Sequence, residues 1–222
     1  ARYCVQEGVE VKAVFNNDIV GGILCGATSS GPSCPGEGDV DSTQVRLFSH
    51  GQTSRQLSRW IKEQYKEELR DEVAVPMLVT IMSLEDRIGR GGDHIPFREQ
   101  GFDAMRFTSA NEHGDANTSD PDYHDRQHTS DDILGVDTDN DGELDSFYVD
   151  FNYLSRNAVI NGLSASFAAI GPEPVDFEGF IDGDSLFVTI IDDNDYLNYR
   201  VYSRSSTQDF DTTYVLEGSK SI

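Results

Sequence analysis

The 222-residue chain is poor in positive charge, with 17 Lys and Arg residues against 40 Asp and Glu residues and a net charge of −23. A surface this acidic repels phosphate backbones, which argues against nucleic acid as a partner. Long hydrophobic runs are absent too: no stretch of about 18 apolar residues occurs, so the sequence predicts no membrane-spanning helix. Hydrophobic residues still make up 37% of the chain, which is enough for one good-sized core.

Cysteine is scarce as well, with three residues in the chain: Cys4, Cys25 and Cys34. Cys25 and Cys34 flank a loop of Gly, Ser and Pro residues, and a disulfide between them would suit an exported protein. Two unpaired thiols are the alternative, because spacing alone does not fix a pairing. We expect a secreted, periplasmic or cell-surface protein in which Cys25 and Cys34 form the disulfide.

The beginning of the chain lacks the features of a signal peptide, since no charged segment followed by an apolar one precedes the first predicted strand. Residues 2–6, followed by Gly8, have the pattern of a helix end with a glycine after it. Because a domain rarely opens on the last turns of a helix, the sequence predicts that the chain begins inside a larger protein.

Hydrophobic spacing divides the chain into two predicted parts. Residues 1–174 alternate between apolar strands and amphipathic helices, which is typical of an α/β domain with a mixed sheet flanked by helices. Residues 175–222 carry short strands and Asp-rich turns, which predicts a small all-β module, such as the start of a sandwich. The predicted strands are 9–15, 44–48, 73–81, 104–107, 185–191, 196–202 and 212–216, and the predicted helices are 54–69, capped by Ser54, and 151–170.

Two polar positions stand where apolar segments end. Asp18 follows the first predicted strand, and ligands of open α/β sheets gather at the carboxyl ends of strands, so Asp18 is a candidate metal ligand. An aspartate that starts a turn is the alternative. Farther along, Gly91 and Gly92 permit unusual backbone angles before Asp93 and His94, which suggests a constrained turn that aims polar side chains. The alternative there is an ordinary surface turn.

Histidine and carboxylate residues concentrate in residues 111–132. Three of the five histidines lie there, His113, His124 and His128, among several aspartates. Zinc sites commonly use histidine imidazoles as ligands, with nearby carboxylates that orient the imidazole rings. A solvated acidic loop with incidental histidines is the alternative.

A separate acidic segment resembles the start of a calcium loop. Asp137, Asp139 and Asp141 occupy its first, third and fifth positions and a glycine the sixth, which matches the pattern of calcium-binding loops. The twelfth position is Tyr148 rather than the glutamate of an EF-hand, and Asp145 at the ninth position could complete the ligands. The alternative is a plain turn between two short strands.

Taken in order, these motifs resemble the dinuclear-zinc aminopeptidase and glutamate-carboxypeptidase family of metallopeptidases. The resemblance covers about residues 1–171 and rests on a combination of pieces that are not specific one by one. The matching segments are 15–21, 45–49, 90–102, 105–108, 111–112, 127–132 and 149–154.

The resemblance implies roles for four residues of a secreted, aminopeptidase-type exopeptidase. Asp18 would bind one zinc ion and His128, in its His-Thr-x-x-Asp segment, the other. Asp93 would be the catalytic acidic residue of the Asp-His turn, and His94 would contact substrate. His124 matches less well than His128, because it lacks the Thr-x-x-Asp that follows.

The family's other ligands and its general base lie upstream of the Asp18 strand, and no residue before Val9 fits them. Two zinc ions per complete domain would therefore each receive one ligand from this chain. A catalytic zinc takes about three protein ligands. We expect the chain alone to be inactive, with a missing N-terminal half of the domain and a peptide substrate as its partners.

Two other functions remain open. Glutaminyl cyclases share a similar Asp-His-Ile-Pro-Phe turn, and an assay on glutaminyl peptides would distinguish them. A non-catalytic acidic module that binds calcium is the other alternative, and stabilisation by calcium without any effect of zinc would favour it.

Overall fold

The protein is described by a computed structural model over residues 1–23, 39–86, 91–110, 130, 133–172, 175–192, 194, 196–205, 209–218 and 220–222. Two compact units divide the chain, the first Ala1–Ala169 and the second Ile170–Ile222. Both are built from the kinds of element that the sequence predicts, and the α/β fold with a mixed sheet flanked by helices and additional small antiparallel sheets is confirmed.

The first unit contains four helices and six strands in the described ranges. The helices are α1 (Arg2–Gln6), α2 (Gln52–Glu68), α3 (His94–Arg98) and α4 (Phe151–Ile170). The strands are β1 (Val14–Asn17), β2 (Gln44–Phe48), β3 (Leu78–Ile81), β4 (Ala104–Ser109), β5 (Gly135–Val136) and β6 (Ser146–Phe147).

The main sheet of this unit has four strands in the order β1-β4-β2-β3. β1 runs parallel to β4 and β2 parallel to β3, whereas β2 and β4 are antiparallel, which makes the sheet mixed. Side chains alternate between its two faces. One face supplies Val45, Leu47 and Phe107 to a core that α2 and α4 complete with Ile61 and Ile160.

The opposite face of the same sheet is unusually polar for a buried surface. Arg46, Arg106 and Thr108 lie there, by alternation with Leu47 and Phe107, and all three are 0% exposed. Buried charges need partners or hydrogen bonds, because desolvation of an isolated charge is costly. We therefore expect a network of buried polar contacts on this face. Helix α3 packs next to strands β4 and β1 of the sheet.

Several predicted elements differ in extent from the structure. The first strand covers only Val14–Asn17 rather than 9–15, because its partner β4 begins opposite Val14, at Ala104. Helix α2 begins after Gly51, and Ser54 lies inside it, where its hydroxyl accepts a hydrogen bond from the Ala104 amide at 3.1 Å. β3 is shorter than the predicted 73–81 and lies at the edge of the sheet.

The described part of the second unit contains four strands: β7 (Asp176–Asp182), β8 (Ser185–Ile191), β9 (Asn198–Ser203) and β10 (Thr212–Glu217). They form two antiparallel pairs, β7 with β8 and β9 with β10. Val188, Ile190, Tyr199 and Leu216 form its buried core. Strand β7, which the sequence did not predict, joins β8 through a two-residue turn in which Gly183 has φ +61°.

Among the described helices, none has the combination of length and hydropathy that crossing a membrane requires.

Candidate metal centre

Asp18 follows β1 directly, and both its backbone and its side chain are held. Its amide donates to the Phe107 carbonyl at 3.2 Å, and its own carbonyl accepts from the Thr108 hydroxyl at 2.8 Å. The side chain keeps 41% of its surface exposed. Asp18 thus combines a fixed backbone with a carboxylate that solvent reaches, which fits the needs of a single metal ligand.

A buried arginine connects Asp18 to a second carboxylate. The Arg106 guanidinium donates through Nε to the Asp18 carbonyl and through Nη1 to Asp86 Oδ1. Its Nη2 lies 3.3 Å from Asp18 Oδ2. The Asp86 side chain is 4% exposed, so its pairing with Arg106 takes place away from water. We call Asp18, Asp86, His94 and Arg106 the Arg106 cluster.

The Asp-His turn is a helix start in the structure. Asp93 has αR backbone angles, precedes α3 and is exposed, and its side chain makes no capping hydrogen bond. Pro96 occurs in the first turn of α3, where a proline is tolerated because the first amides of a helix have no intrahelical partner. Asp93 is therefore in position to meet solvent or a ligand, while its neighbour His94 points into the protein.

His94 lies inside the Arg106 cluster and is 1% exposed. Its Nε2 is 3.0 Å from the Glu85 carbonyl, and its Nδ1 is 4.0 Å from Asp86 Oδ2 and has no hydrogen-bond partner among the described residues. A carbonyl accepts only, so Nε2 carries a proton, and in the neutral ring Nδ1 is then the nitrogen without one. Burial lowers the pKa of His94, and the Glu85 hydrogen bond and the Asp86 charge oppose that shift only in part.

Gly92 allows this packing. A Cβ atom at that position would lie 2.8 Å from Asp86 Oδ2 and 2.8 Å from His94 Nδ1, both closer than real Cβ contacts. Gly92, the second glycine of the Gly-Gly-Asp-His segment, is thus needed for close approach to the cluster rather than for a positive φ.

The role of His94 in substrate binding stays a prediction, as do the roles of Asp18 and Asp93.

The segment after Asp18 is fixed against the start of α4. A Cβ atom at Gly21 would lie 2.9 Å from Val149 Cγ1, and the Gly21 carbonyl accepts from the Asp150 amide at 3.0 Å. Asp150 in turn caps α4, since its Oδ1 accepts from the Tyr153 amide at 2.7 Å. These contacts explain why a glycine follows Asp18 at this spacing, because no side chain would fit.

A second candidate metal site lies in the loop between β5 and β6. Within the described ranges, the only group of three or more potential ligands whose atoms all lie within 4.8 Å of one another is Asp137, Asp139 and Asp145. The Gly142 amide donates to Asp137 at 2.9 Å and lowers the pKa of that carboxyl. Asp141, the fourth predicted ligand, instead accepts from the Glu143 amide at 2.9 Å.

Several predicted residues lie outside the described part of the chain: His128, His124, Cys25 and Cys34. The proposed meeting of Asp18 and His128, the weaker ligand His124 and the Cys25–Cys34 disulfide therefore remain predictions.

Sequence reasoning missed Asp86 and assigned no role to Arg106. One signal was available, since Arg106 interrupts an otherwise apolar strand between Met105 and Phe107, and a buried arginine needs an acidic partner. Its partner could not have been identified, because several acids precede it at comparable distances along the chain.

Comparison with known proteins gives a similarity to a curated relative. In an alignment 190 positions long that covers 75% of the chain, it is 30% identical to a protein of Pyricularia oryzae named "Probable zinc metalloprotease". It spans about a third of that relative, 32% of its length. No family model matches the chain. No solved structure matches it significantly either.

Proposed function

We propose that the chain is part of a zinc-dependent metallopeptidase that hydrolyses peptide bonds. The observation that carries this proposal is the similarity to the zinc metalloprotease named above, which extends over three quarters of the chain, 75%. The exposed carboxylate of Asp18 at the end of β1 supports it, because it offers an oxygen ligand on a fixed backbone.

In the finer form of the proposal the enzyme is an aminopeptidase that uses two zinc ions. Asp18 would hold one ion and His128 the other, and the remaining ligands and the general base would come from outside this chain. Bound zinc would supply Lewis acidity toward the peptide carbonyl and lower the pKa of a water molecule. Asp93 is exposed at the start of α3, where it can act on groups that solvent reaches.

Secretion is a further part of the proposal, supported by the sequence positions of Cys25 and Cys34 on either side of a segment rich in Gly, Ser and Pro, where a disulfide would suit an exported protein. Mass spectrometry of the native protein before and after reduction tests the disulfide on which this part of the proposal rests. A mass gain of two hydrogens per disulfide on reduction is expected, and free thiols at both positions would contradict it.

We also propose that the β5–β6 loop binds calcium through Asp137, Asp139 and Asp145. The support is the clustering of their carboxylate oxygens within 4.8 Å together with the Asp-rich spacing that such loops use. This site would stabilise the first unit rather than take part in catalysis.

The enzyme proposal is tested with the full-length protein that contains this chain and with aminoacyl-nitroanilide substrates. Activity should disappear with a zinc chelator, return with added zinc and be lost in Asp18→Asn and His128→Ala. His50→Ala, at an exposed position outside the matching motifs, is the control and should keep activity. Activity that survives chelation, or that persists in both ligand variants, would overturn the proposal. Release of ammonia from glutaminyl peptides instead would favour a cyclase.

A further inference from the structure

Arg106 makes contact with Asp18 at two places at once. Its Nε donates to the Asp18 carbonyl, and its Nη2 lies 3.3 Å from Asp18 Oδ2. A guanidinium is planar and its nitrogens have fixed relative positions, so these two contacts together limit how the Asp18 side chain can rotate against its own backbone. The contact engages one carboxylate oxygen, and the side chain still keeps 41% of its surface in solvent.

Arg106 forms ion pairs with both Asp86 and Asp18, so Asp86 influences how much of the guanidinium charge acts on the Asp18 carboxylate. The ion pair of Arg106 with Asp86 is buried on both sides, since the Asp86 side chain is 4% exposed, whereas the Asp18 side chain is 41% exposed and water screens its contact with the guanidinium. The charge of the buried guanidinium is therefore balanced chiefly by Asp86. Asp18 is oriented by the arginine, while 41% of its side chain stays in solvent, where a cation can reach a carboxylate oxygen.

Asp86 is itself held in a fixed position. Its side chain is 4% exposed, with Gly92 packed against it and His94 Nδ1 4.0 Å from its second oxygen. The cluster thus runs from the Asp-His turn through Asp86 and Arg106 to Asp18. It links the two segments of the chain that carry the predicted site.

We propose that Arg106 is a positioning residue that orients the Asp18 carboxylate for metal binding, with Asp86 as its anchor. This inference rests on the proposed function, in which Asp18 binds zinc. A purely structural role is the competing account, in which Arg106 and Asp86 only join the sheet to the loop after β3.

The test measures zinc affinity of the full-length protein by competition with a chromophoric chelator, together with the visible absorption of the cobalt-substituted protein. Arg106→Lys keeps the positive charge but loses the planar set of N–H donors that contacts Asp18 and Asp86 together. It should therefore weaken zinc binding about 10–100-fold, as is typical when a residue that hydrogen-bonds to a metal ligand is changed. Its cobalt spectrum should change as well. Arg46→Lys is the matched control, since Arg46 is equally buried on the same sheet face and donates to the Ser109 carbonyl at 2.9 Å.

Asp86→Asn provides a second route to the same result if Arg106→Lys does not fold. It keeps an oxygen for Arg106 but removes the balancing charge, so the guanidinium should compete with zinc for Asp18 and lower the affinity about tenfold or more. Zinc affinities and cobalt spectra of the folded variants equal to those of Arg46→Lys would overturn the inference. Asp18→Asn distinguishes the claim that Asp18 binds zinc from the claim that Arg106 positions it. Unchanged zinc binding in that variant would refute Asp18 as a ligand, independently of the results for Arg106.

Discussion

His94 and Glu85 are joined by a 3.0 Å contact between the imidazole Nε2 and the backbone carbonyl, and this contact fixes the tautomer of a ring that is 1% exposed. Because Nε2 donates to this carbonyl, Nδ1 is the nitrogen without a hydrogen when the ring is neutral. Burial lowers the pKa of His94 and so favours the neutral ring, and the charge of Arg106, on the other side of the Asp86 carboxylate, acts in the same direction, whereas the Glu85 hydrogen bond and the Asp86 charge oppose it.

The neutral state of His94 predicts a pH dependence of stability. Burial lowers the pKa of His94 below 6.5, so the unfolded chain takes up a proton at a higher pH than the folded protein does. The free energy of unfolding therefore falls as pH decreases from 6.5 toward the lowered pKa, and is unaffected by this group above that range. In His94→Gln, which can still donate to Glu85, denaturant titrations across this window should show a smaller fall than in the wild type. Equal slopes in both proteins would contradict the assignment.

Removing Asp86 should destabilise the protein severely. Asp86→Ala leaves the Arg106 guanidinium buried without its buried partner, which typically costs about 3–5 kcal/mol of unfolding free energy. Asp93→Ala is the matched control: Asp93 is exposed and makes no capping bond, so it should change stability by about 0.5 kcal/mol or less. Chemical denaturation measures both, and similar losses in the two variants would show that the buried ion pair is unimportant.

The two adjacent glycines before Asp93 should respond in opposite ways to the same substitution. In Gly92→Ala the new methyl group would lie 2.8 Å from Asp86 and His94 atoms that are buried and cannot move aside, so a loss of about 1–3 kcal/mol is expected. In Gly91→Ala it would lie 3.9 Å from Ile95, an ordinary contact, and a gain of about 0.4–1 kcal/mol is expected from reduced freedom of the unfolded chain. Thermal melts of the pair distinguish these outcomes, and a neutral Gly92→Ala would show that the cluster is loosely packed.

Calcium should raise the Tm if the β5–β6 loop binds it. At a concentration 100 times the Kd, binding to the folded state alone adds about 2.7 kcal/mol of stability. Asp139→Asn should remove most of this effect, whereas Asp184→Asn, which changes an exposed acid in the turn between β7 and β8, should retain it. A calcium shift of equal size in both variants would indicate nonspecific binding to an acidic surface.

The sequence was sufficient for elements whose pattern is local. Helix α4 has the predicted bounds of 151–170, and Gly8 follows α1 with φ +63°, as a residue after a helix end requires. Strand β1 was predicted too long because the alternation of Val9–Phe15 is a local property, while the length of a strand depends on where its partner begins.

The candidate site was predictable only in part for the same reason. Asp18 could be identified from its position at a strand end, but its contact with Arg106 spans 88 residues and that of Arg106 with Asp86 spans 20. Nothing in the polar segment that contains Asp86 distinguishes it from the neighbouring Glu85, which pairs instead with Arg98 at 2.5 Å. Only the packing of β3, α3 and β4 determines which acid is buried.

Diffraction from zinc-loaded crystals of the full-length protein, recorded on both sides of the zinc absorption edge, tests the central claim most directly. We predict an anomalous peak about 2.0–2.2 Å from a carboxylate oxygen of Asp18, the usual zinc–carboxylate distance. Zinc density elsewhere, with none in contact with Asp18, would contradict the account.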